Sequence, residues 1–279
     1  MENLKITGDN MKGSNLPIGV FDSGIGGLTV VEEIIKVLPH ESLVYFGDTA
    51  RLPYGTKSKD VVTKYSIQIS NFLIKKRVKI IVVACNTSSS NALPELRKRF
   101  NVPIIGVIEP AVKQALKVTK SGRIGVIGTE ATIKSNAYQN LLRKYSSRIS
   151  VYSQACPLFV SLVEEGWINK PVTLTVAKEY LSGLKRDRID TLILGCTHYP
   201  LIKNVISAVL GKNVVILDST KATANEVQSL LDKTKLNSLK CNKVKYEFYV
   251  SDAPEKFIKL GRKFLKKDIR HVKKIELPF

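Results

Sequence analysis

Two of the four cysteines stand in the same local context. Cys85 follows the apolar run 80–84, and Cys196 follows the run 191–194 and a glycine. Hydroxyl or amide residues that open a predicted helix come directly after each of them. At such a position, free backbone N–H groups and the positive end of the helix surround the sulfur, where they stabilise a thiolate and bind carboxylates. The pattern therefore predicts two reactive thiols.

The alternative for any cysteine is a small buried apolar side chain. Cys156 and Cys241 lack the repeated context, and we assign both to this structural role. A zinc site is a weaker alternative, because Cys196 and His198 supply two ligands but the chain has no Cys-x-x-Cys pair and no second histidine cluster. We therefore expect no metal.

Two thiols on two halves of one molecule suit a reaction in which a carbon atom loses a proton from one face and gains a proton on the opposite face. A single nucleophilic cysteine would indicate acyl transfer instead. If two related halves pack about an approximate two-fold axis, Cys85 and Cys196 face each other across a cleft. One sulfur then acts as base while the other acts as acid, and N–H groups stabilise the developing charge. The pair predicts racemisation or epimerisation of a small acid.

A candidate acid–base partner for the first thiol is Asp22, in the segment DSGIGG that follows the first predicted strand. Asp22 either orients or deprotonates the Cys85 thiol, or it caps a tight turn. The segment is not a Walker loop, because it lacks the Gly-Lys-Ser/Thr ending, and it is not a dinucleotide-binding fingerprint, because the three glycines of that motif are spaced differently. The segment 48–55 follows the second predicted strand and by itself reads as a loop.

The candidate acid–base partner for the second thiol is His198, two residues after Cys196. Its role would be the one given to Asp22, to orient or deprotonate the thiol. A predicted helix ends with Glu164 and Glu165. Two alternatives are open for this pair: one of the two carboxylates interacts with His198, or both face solvent.

The segments that must position these residues are apolar runs separated by stretches with helical spacing. Apolar strands that alternate with amphipathic helices indicate parallel sheets covered on both faces, which is the α/β class. The predicted strands are 18–21, 43–46, 80–84, 104–107, 124–127, 149–152, 191–194, 214–217 and 246–250. The clearest helical faces lie in 28–38, 61–73 and 201–210.

A repeat runs through this pattern. Residues 17–20 match residues 123–126 at an offset of 106. Two further matches have an offset of 111: residues 79–87 match 190–198, and residues 102–105 match 213–216. The repeat predicts two α/β halves of one plan with the cysteines at equivalent places. We predict a discontinuous first domain of residues 1–110 plus 222–279 and a second domain of residues 111–221, with the boundary near Glu109 and Pro110.

Composition limits the classes of protein that fit. An apolar share of 44% supports a folded core, no apolar run reaches the ~18 residues of a membrane helix, and four cysteines do not make a disulfide scaffold. With no apolar stretch after the basic start, we expect a cytoplasmic protein that does not contact membranes. The net charge of +20 raises nucleic-acid binding as an alternative. Aromatic residues make up only 7% of the chain and do not alternate with basic residues. A lysine-rich surface exposed to solvent is therefore favoured over a nucleic-acid-binding surface.

Five blocks in order make the chain resemble the aspartate/glutamate racemase family. They are GVFDSGIGGLTV at 19–30, YFGDTARLPYG at 45–55, ACNT at 84–87, LVEEG at 162–166 and GCTHYP at 195–200. The resemblance implies cofactor-independent interconversion of L- and D-glutamate, which supplies D-glutamate for peptidoglycan. It also implies two flavodoxin-like parallel-sheet α/β domains related by pseudo-two-fold symmetry, with the active site in the cleft between them.

The resemblance further implies roles for single residues. Cys85 serves D-glutamate and is assisted by Asp22, whereas Cys196 serves L-glutamate and is assisted by His198 with one glutamate of the 164–165 pair. Of that pair, Glu165 is favoured over Glu164. The implied substrate contacts are Asp22, Ser23, Tyr54, Gly55, Asn86, Thr87, Thr197 and His198.

Glutamate is thus the expected substrate, with aspartate or another small acidic amino acid as the alternative. A homodimer is the expected assembly. Because some members of the family bind DNA gyrase, and because the chain is basic, a secondary interaction with gyrase is a further hypothesis.

Overall fold

The computed structural model describes residues 15–238, 243–265, 269 and 271–277 of the 279-residue chain. Cys241, which we assigned a structural role, lies outside the described residues. The strands are β1 (Ile18–Asp22), β2 (Leu43–Gly47), β3 (Ile80–Val83), β4 (Ile104–Gly106), β5 (Arg123–Gly128), β6 (Ser150–Ala155), β7 (Thr191–Gly195), β8 (Val215–Asp218), β9 (Tyr246–Val250) and β10 (Val272–Lys274).

The helices alternate with these strands along most of the chain. They are α1 (Leu28–Val37), α2 (Lys59–Lys75), α3 (Asn86–Asn91), α4 (Leu93–Arg99), α5 (Ile108–Val118), α6 (Glu130–Lys134), α7 (Ala137–Tyr145), α8 (Leu158–Glu164), α9 (Pro171–Arg186), α10 (Lys203–Leu210), α11 (Thr220–Thr234) and α12 (Pro254–Leu265). Within the described ranges, none of them is both long enough and apolar enough to cross a bilayer.

The strands form two wholly parallel sheets. The first sheet has the order β10-β9-β2-β1-β3-β4, and the second has the order β6-β5-β7-β8. The prediction of two flavodoxin-like α/β domains is confirmed. In β3 all four residues are fully buried, as expected of a central strand covered by helices on both faces. Burying each such aliphatic side chain stabilises the fold by roughly 1.5–3 kcal/mol.

The repeat seen in the sequence corresponds to a repeat in topology. The four strands β2-β1-β3-β4 have the same order as β6-β5-β7-β8, so β3 and β7 occupy equivalent places in their sheets. Cys85 follows β3 and Cys196 follows β7. Both cysteines therefore lie at the carboxyl ends of equivalent strands, the edge at which open parallel sheets bind ligands.

The C-terminal part of the chain returns to the first sheet. Strand β9 pairs with β2, and β10 pairs with β9 at the edge. Strand β10 was not predicted, because it has three residues, two of them exposed lysines. The predicted boundary at Glu109 and Pro110 falls in the first turn of α5, and the limits of the two domains stay a prediction.

Candidate active site

One pocket at the carboxyl ends of both sheets is lined by Cys85, Cys196 and His198. The other predicted site residues that line it are Ser23, Tyr54, Gly55, Asn86, Thr87 and Thr197. The cysteine side chains are almost completely covered, at 4% exposure for Cys85 and 7% for Cys196. Residues more than 100 positions apart in the sequence thus contribute to one shared pocket.

Cys85 lies between the end of β3 and the start of α3, where it caps the helix. Its sulfur accepts a hydrogen bond from the backbone N–H of Ser88 at 3.5 Å, and its thiol donates to the hydroxyl of Ser23 at 3.6 Å. Burial, followed by the nearby charge of Asp22, raises the pKa of the Cys85 thiol to about 11. With this pKa, the Cys85 thiol is largely protonated near neutral pH.

Asp22 ends β1 and is fully buried. Its Oδ2 accepts hydrogen bonds from the backbone N–H groups of Gly24 at 3.1 Å and Gly27 at 3.0 Å. Its Oδ1 has no partner among the described residues. Burial raises the pKa of Asp22, although the charge of His198 and the backbone donors act in the opposite direction. A buried carboxyl group with one free oxygen and a raised pKa is suited to accepting and returning a proton.

His198 links the second thiol to a carboxylate. Its Nδ1 lies 3.9 Å from the Cys196 sulfur, and its Nε2 lies 3.2 Å from Oε1 of Glu164. Although burial opposes the charged form, the hydrogen bonds to Cys196 and Glu164 raise the pKa of His198 to about 10. An imidazolium beside a sulfur stabilises the thiolate. Edge-to-face contact with Phe264, at 5.7 Å between ring centroids, covers the imidazole.

The expectation that Glu165 supports His198 is wrong, because Glu164 makes the contact. Glu164 is the last residue of α8, and its side chain is only 18% exposed. Burial acts in the opposite direction, but the hydrogen bond from His198 lowers the pKa of Glu164. Glu165, the next residue, is exposed to solvent just before Gly166, whose φ of +74° ends the helix.

Asp48 supports the pocket without lining it, a role that was missed in the sequence, where its segment reads as a loop. It is fully buried and accepts hydrogen bonds from the hydroxyl of Tyr54, from Nε of Arg51 at 2.7 Å and from the hydroxyl of Ser251 at 2.8 Å. These bonds fix the segment that carries Tyr54 and Gly55 into the pocket. A buried aspartate between two apolar segments was the available signal.

Two glycines let the halves of the molecule approach each other closely. A Cβ atom on Gly26 would lie 2.8 Å from Nδ1 of His198, and one on Gly55 would lie 2.6 Å from Cβ of Thr129. On the first half, Thr87 also contacts the Thr129 hydroxyl at 2.9 Å. The volume of the pocket is only about 30 Å³, room for little more than a water molecule.

The groups in this pocket are suited to acid–base chemistry. Within the part of the chain that the structure describes, no three His, Cys, Asp or Glu side chains are grouped closely enough to hold a metal ion. Each sulfur has its own titratable neighbour, Asp22 for Cys85 and His198 for Cys196. Two such centres from equivalent strands can exchange protons with one enclosed molecule, which is the arrangement that a racemase needs.

Comparison with known proteins agrees with this class. The family model described as Asp/Glu/Hydantoin racemase matches residues 18–227. A glutamate racemase of Geobacter metallireducens is 50% identical over 248 residues, which are 89% of this chain and 92% of the relative.

Solved structures give the same result. The glutamate racemase of Bacillus anthracis has a TM-score of 0.91 at 40% identity. That of Francisella tularensis, in complex with D-glutamate, has a TM-score of 0.89 at 43% identity, and each alignment covers 94% of this chain and 98% of the other. The chain belongs to the aspartate/glutamate racemase family, within it to the glutamate racemases, and is an amino-acid racemase of the isomerase class.

Proposed function

We propose that the protein interconverts L- and D-glutamate without a cofactor, with Cys85 and Cys196 as the two acid–base groups. The observation that carries the proposal is the position of the two thiols. They follow equivalent strands of two sheets, line one pocket, and each has a separate titratable neighbour. The names of the relatives support glutamate as the substrate.

In the proposed reaction, one cysteine thiolate removes the proton from Cα, and the electron pair of the C–H bond passes to the carbon and its carboxylate. The thiol on the opposite face then donates its proton to Cα, which inverts the centre. Cys85 removes the proton from D-glutamate with help from Asp22, and Cys196 removes it from L-glutamate with help from His198. At the end of one turnover the two sulfurs have exchanged protonation states.

The pocket also supports recognition of a dicarboxylic acid. Helix α3 begins directly after Cys85, and a 3-10 turn, Tyr199–Ile202, begins three residues after Cys196. We propose that backbone N–H groups in these two segments stabilise the substrate carboxylates and the developing negative charge. We propose that the substrate is contacted by the predicted set Asp22, Ser23, Tyr54, Gly55, Asn86, Thr87, Thr197 and His198, all of which except Asp22 line the pocket.

The test of this proposal is proton–deuteron exchange at Cα in heavy water, followed by NMR together with the loss of optical rotation. L-glutamate and D-glutamate should exchange and racemise much faster than either enantiomer of aspartate. If glutamate exchanges no faster than aspartate, the proposed substrate is wrong.

We further propose that the product supplies D-glutamate for peptidoglycan in the cytoplasm. Growth of a D-glutamate-requiring bacterium on expression of the wild-type chain, but not of a Cys85→Ser variant, tests this role. Assembly as a homodimer stays a prediction that sedimentation measures directly.

The net charge of +20 supports a second candidate function, an association with DNA gyrase or with DNA itself. Binding that falls steeply with salt would support it, whereas absent or salt-insensitive binding would remove it without affecting the racemase proposal.

A further inference from the structure

A buried tyrosine from the second half of the chain reaches the first catalytic segment. Tyr138, on α7, is 1% exposed, and its hydroxyl donates a hydrogen bond of 2.6 Å to Oδ1 of Asn86. Asn86 comes directly after Cys85 and lines the pocket. None of the racemase chemistry proposed above uses Tyr138.

The carboxamide of Asn86 is satisfied on one side only. Its oxygen is held by Tyr138, whereas its Nδ2 is buried and has no partner among the described residues. Buried amide N–H groups without a partner are costly in a folded protein. Because Asn86 lines the pocket, these N–H groups are available to a bound acceptor, and a carboxylate is an acceptor on both of its oxygens.

The tyrosine is held firmly enough to orient the amide. Its ring packs in the same buried apolar cluster as Leu142 and Ile193. It also lies against the end of β7, where a Cβ atom on Gly195 would come within 3.2 Å of the ring. The hydroxyl is therefore fixed from the half of the molecule that carries Cys196, while the amide belongs to the half that carries Cys85.

We infer that Tyr138 is a positioning residue for substrate binding, because its hydroxyl holds Asn86 with the amide N–H groups toward the carboxylate of the bound amino acid. The inference rests on the proposed glutamate racemase function. An amide has two orientations that differ by exchange of its oxygen and nitrogen. When the Tyr138 hydroxyl donates its hydrogen bond, the amide orientation that presents N–H donors to the substrate carboxylate also gives Oδ1 of Asn86 a partner. Without that bond, the orientation is less strongly selected.

The test is a Tyr138→Phe variant, which keeps the ring and removes only the hydroxyl. The KM for L-glutamate and for D-glutamate should each rise about ten-fold, as expected for the loss of one buried hydrogen bond, with kcat changed by less than about three-fold. A Tyr145→Phe variant is the matched control, because Tyr145 lies on the same helix but is exposed and bonds to Glu109. Its KM should equal that of the wild type.

Two further variants separate positioning from a structural role. In an Asn86→Ala background, Tyr138→Phe should raise KM no further, because the amide that it orients is gone. An Asn86→Asp variant keeps an oxygen for the tyrosine but removes the donors, so its KM should rise at least as much as that of Tyr138→Phe. Asn86→Asp also provides the test if Tyr138→Phe does not fold.

The outcomes distinguish the two proposals. If the wild-type chain does not racemise glutamate, the proposed function fails. If the wild type is active but Tyr138→Phe lowers Tm without changing KM, the tyrosine is structural and the inference is overturned. Independent, additive effects of the Tyr138 and Asn86 substitutions on KM would also overturn it, as would normal glutamate binding by Asn86→Asp.

Discussion

Replacing one catalytic thiol at a time gives the most informative perturbation of this site. In Cys85→Ser and Cys196→Ser, the serine keeps a hydroxyl of similar size but loses the readily ionised sulfur. General acid–base groups typically contribute about 10²–10⁴ in rate. Because both sulfurs are at most 7% exposed in a pocket of about 30 Å³, water has little access to replace either of them. We therefore expect racemisation to fall by about 10³–10⁴ in each variant, in the upper part of that range.

Racemisation rates alone do not reveal which thiol serves which face. L- and D-glutamate have equal free energies in water, so kcat/KM must be the same in both directions for every variant. A reaction that needs only the base removes this constraint. With 3-chloroglutamate, loss of the Cα proton lets the electron pair expel chloride. The resulting enamine hydrolyses to 2-oxoglutarate and ammonia.

The assay is formation of 2-oxoglutarate from each enantiomer at Cα. Cys196→Ser, which retains Cys85, should release chloride from the D enantiomer, and Cys85→Ser should release it from the L enantiomer. Cys156→Ser is the control, because Cys156 is a fully buried thiol that does not line the pocket, and it should retain racemisation. Comparable elimination from both enantiomers by either single variant would refute one thiol per face.

Three further predictions concern the charges and the packing around the thiols. In Glu164→Gln, the imidazolium of His198 loses its negatively charged partner. The neutral fraction of His198 at pH 8 should therefore rise from about 1% to about 10–50%, measured by NMR titration of the ring. In a Cys196→Ser background, the alkylation rate of Cys85 should rise about tenfold per pH unit from pH 8 to 10, because its thiolate forms only toward the raised pKa of about 11. Gly26→Ala should lower kcat/KM by about 10², because the added methyl group displaces His198, and misplacing a group at a reacting centre lowers the rate steeply.

Each of these predictions has its own control. Glu165→Gln should leave the His198 titration unchanged, since Glu165 is exposed; a shift as large as that of Glu164→Gln would contradict the assignment. An alkylation rate of Cys85 that is already constant above pH 8 would show that its thiolate is preformed. A Cβ atom on Gly183 meets nothing within 4 Å, so Gly183→Ala on α9 should keep full activity and add about 0.5–1 kcal/mol of stability. Full activity of Gly26→Ala would argue against close packing at His198.

Much of this fold follows from local patterns in the sequence. The nine predicted strands are all present because each is a short apolar run bounded by polar or glycine residues, and the repeat offsets placed Cys85 and Cys196 on equivalent strands. Strand β10 carries no such signal, since its pairing at an exposed edge depends on β9 rather than on its own composition.

The missed features of the site depend on packing between distant segments. Glu164 and Glu165 are adjacent at the end of a helix, and the side that faces His198 is set by how α8 packs against α9 and against the segment that follows His198. Tyr138 lies 52 positions from Asn86, and their contact exists only because the two halves come together. Neither residue type nor spacing specifies such contacts.

The central claim, that one substrate carbon lies between the two sulfurs, is tested most directly by a crystal structure with bound glutamate. In that structure the Cys85 and Cys196 sulfurs should each lie about 3.5 Å from Cα, on opposite faces of the carbon. Sulfurs in separate pockets, or both on one face of the amino acid, would contradict it.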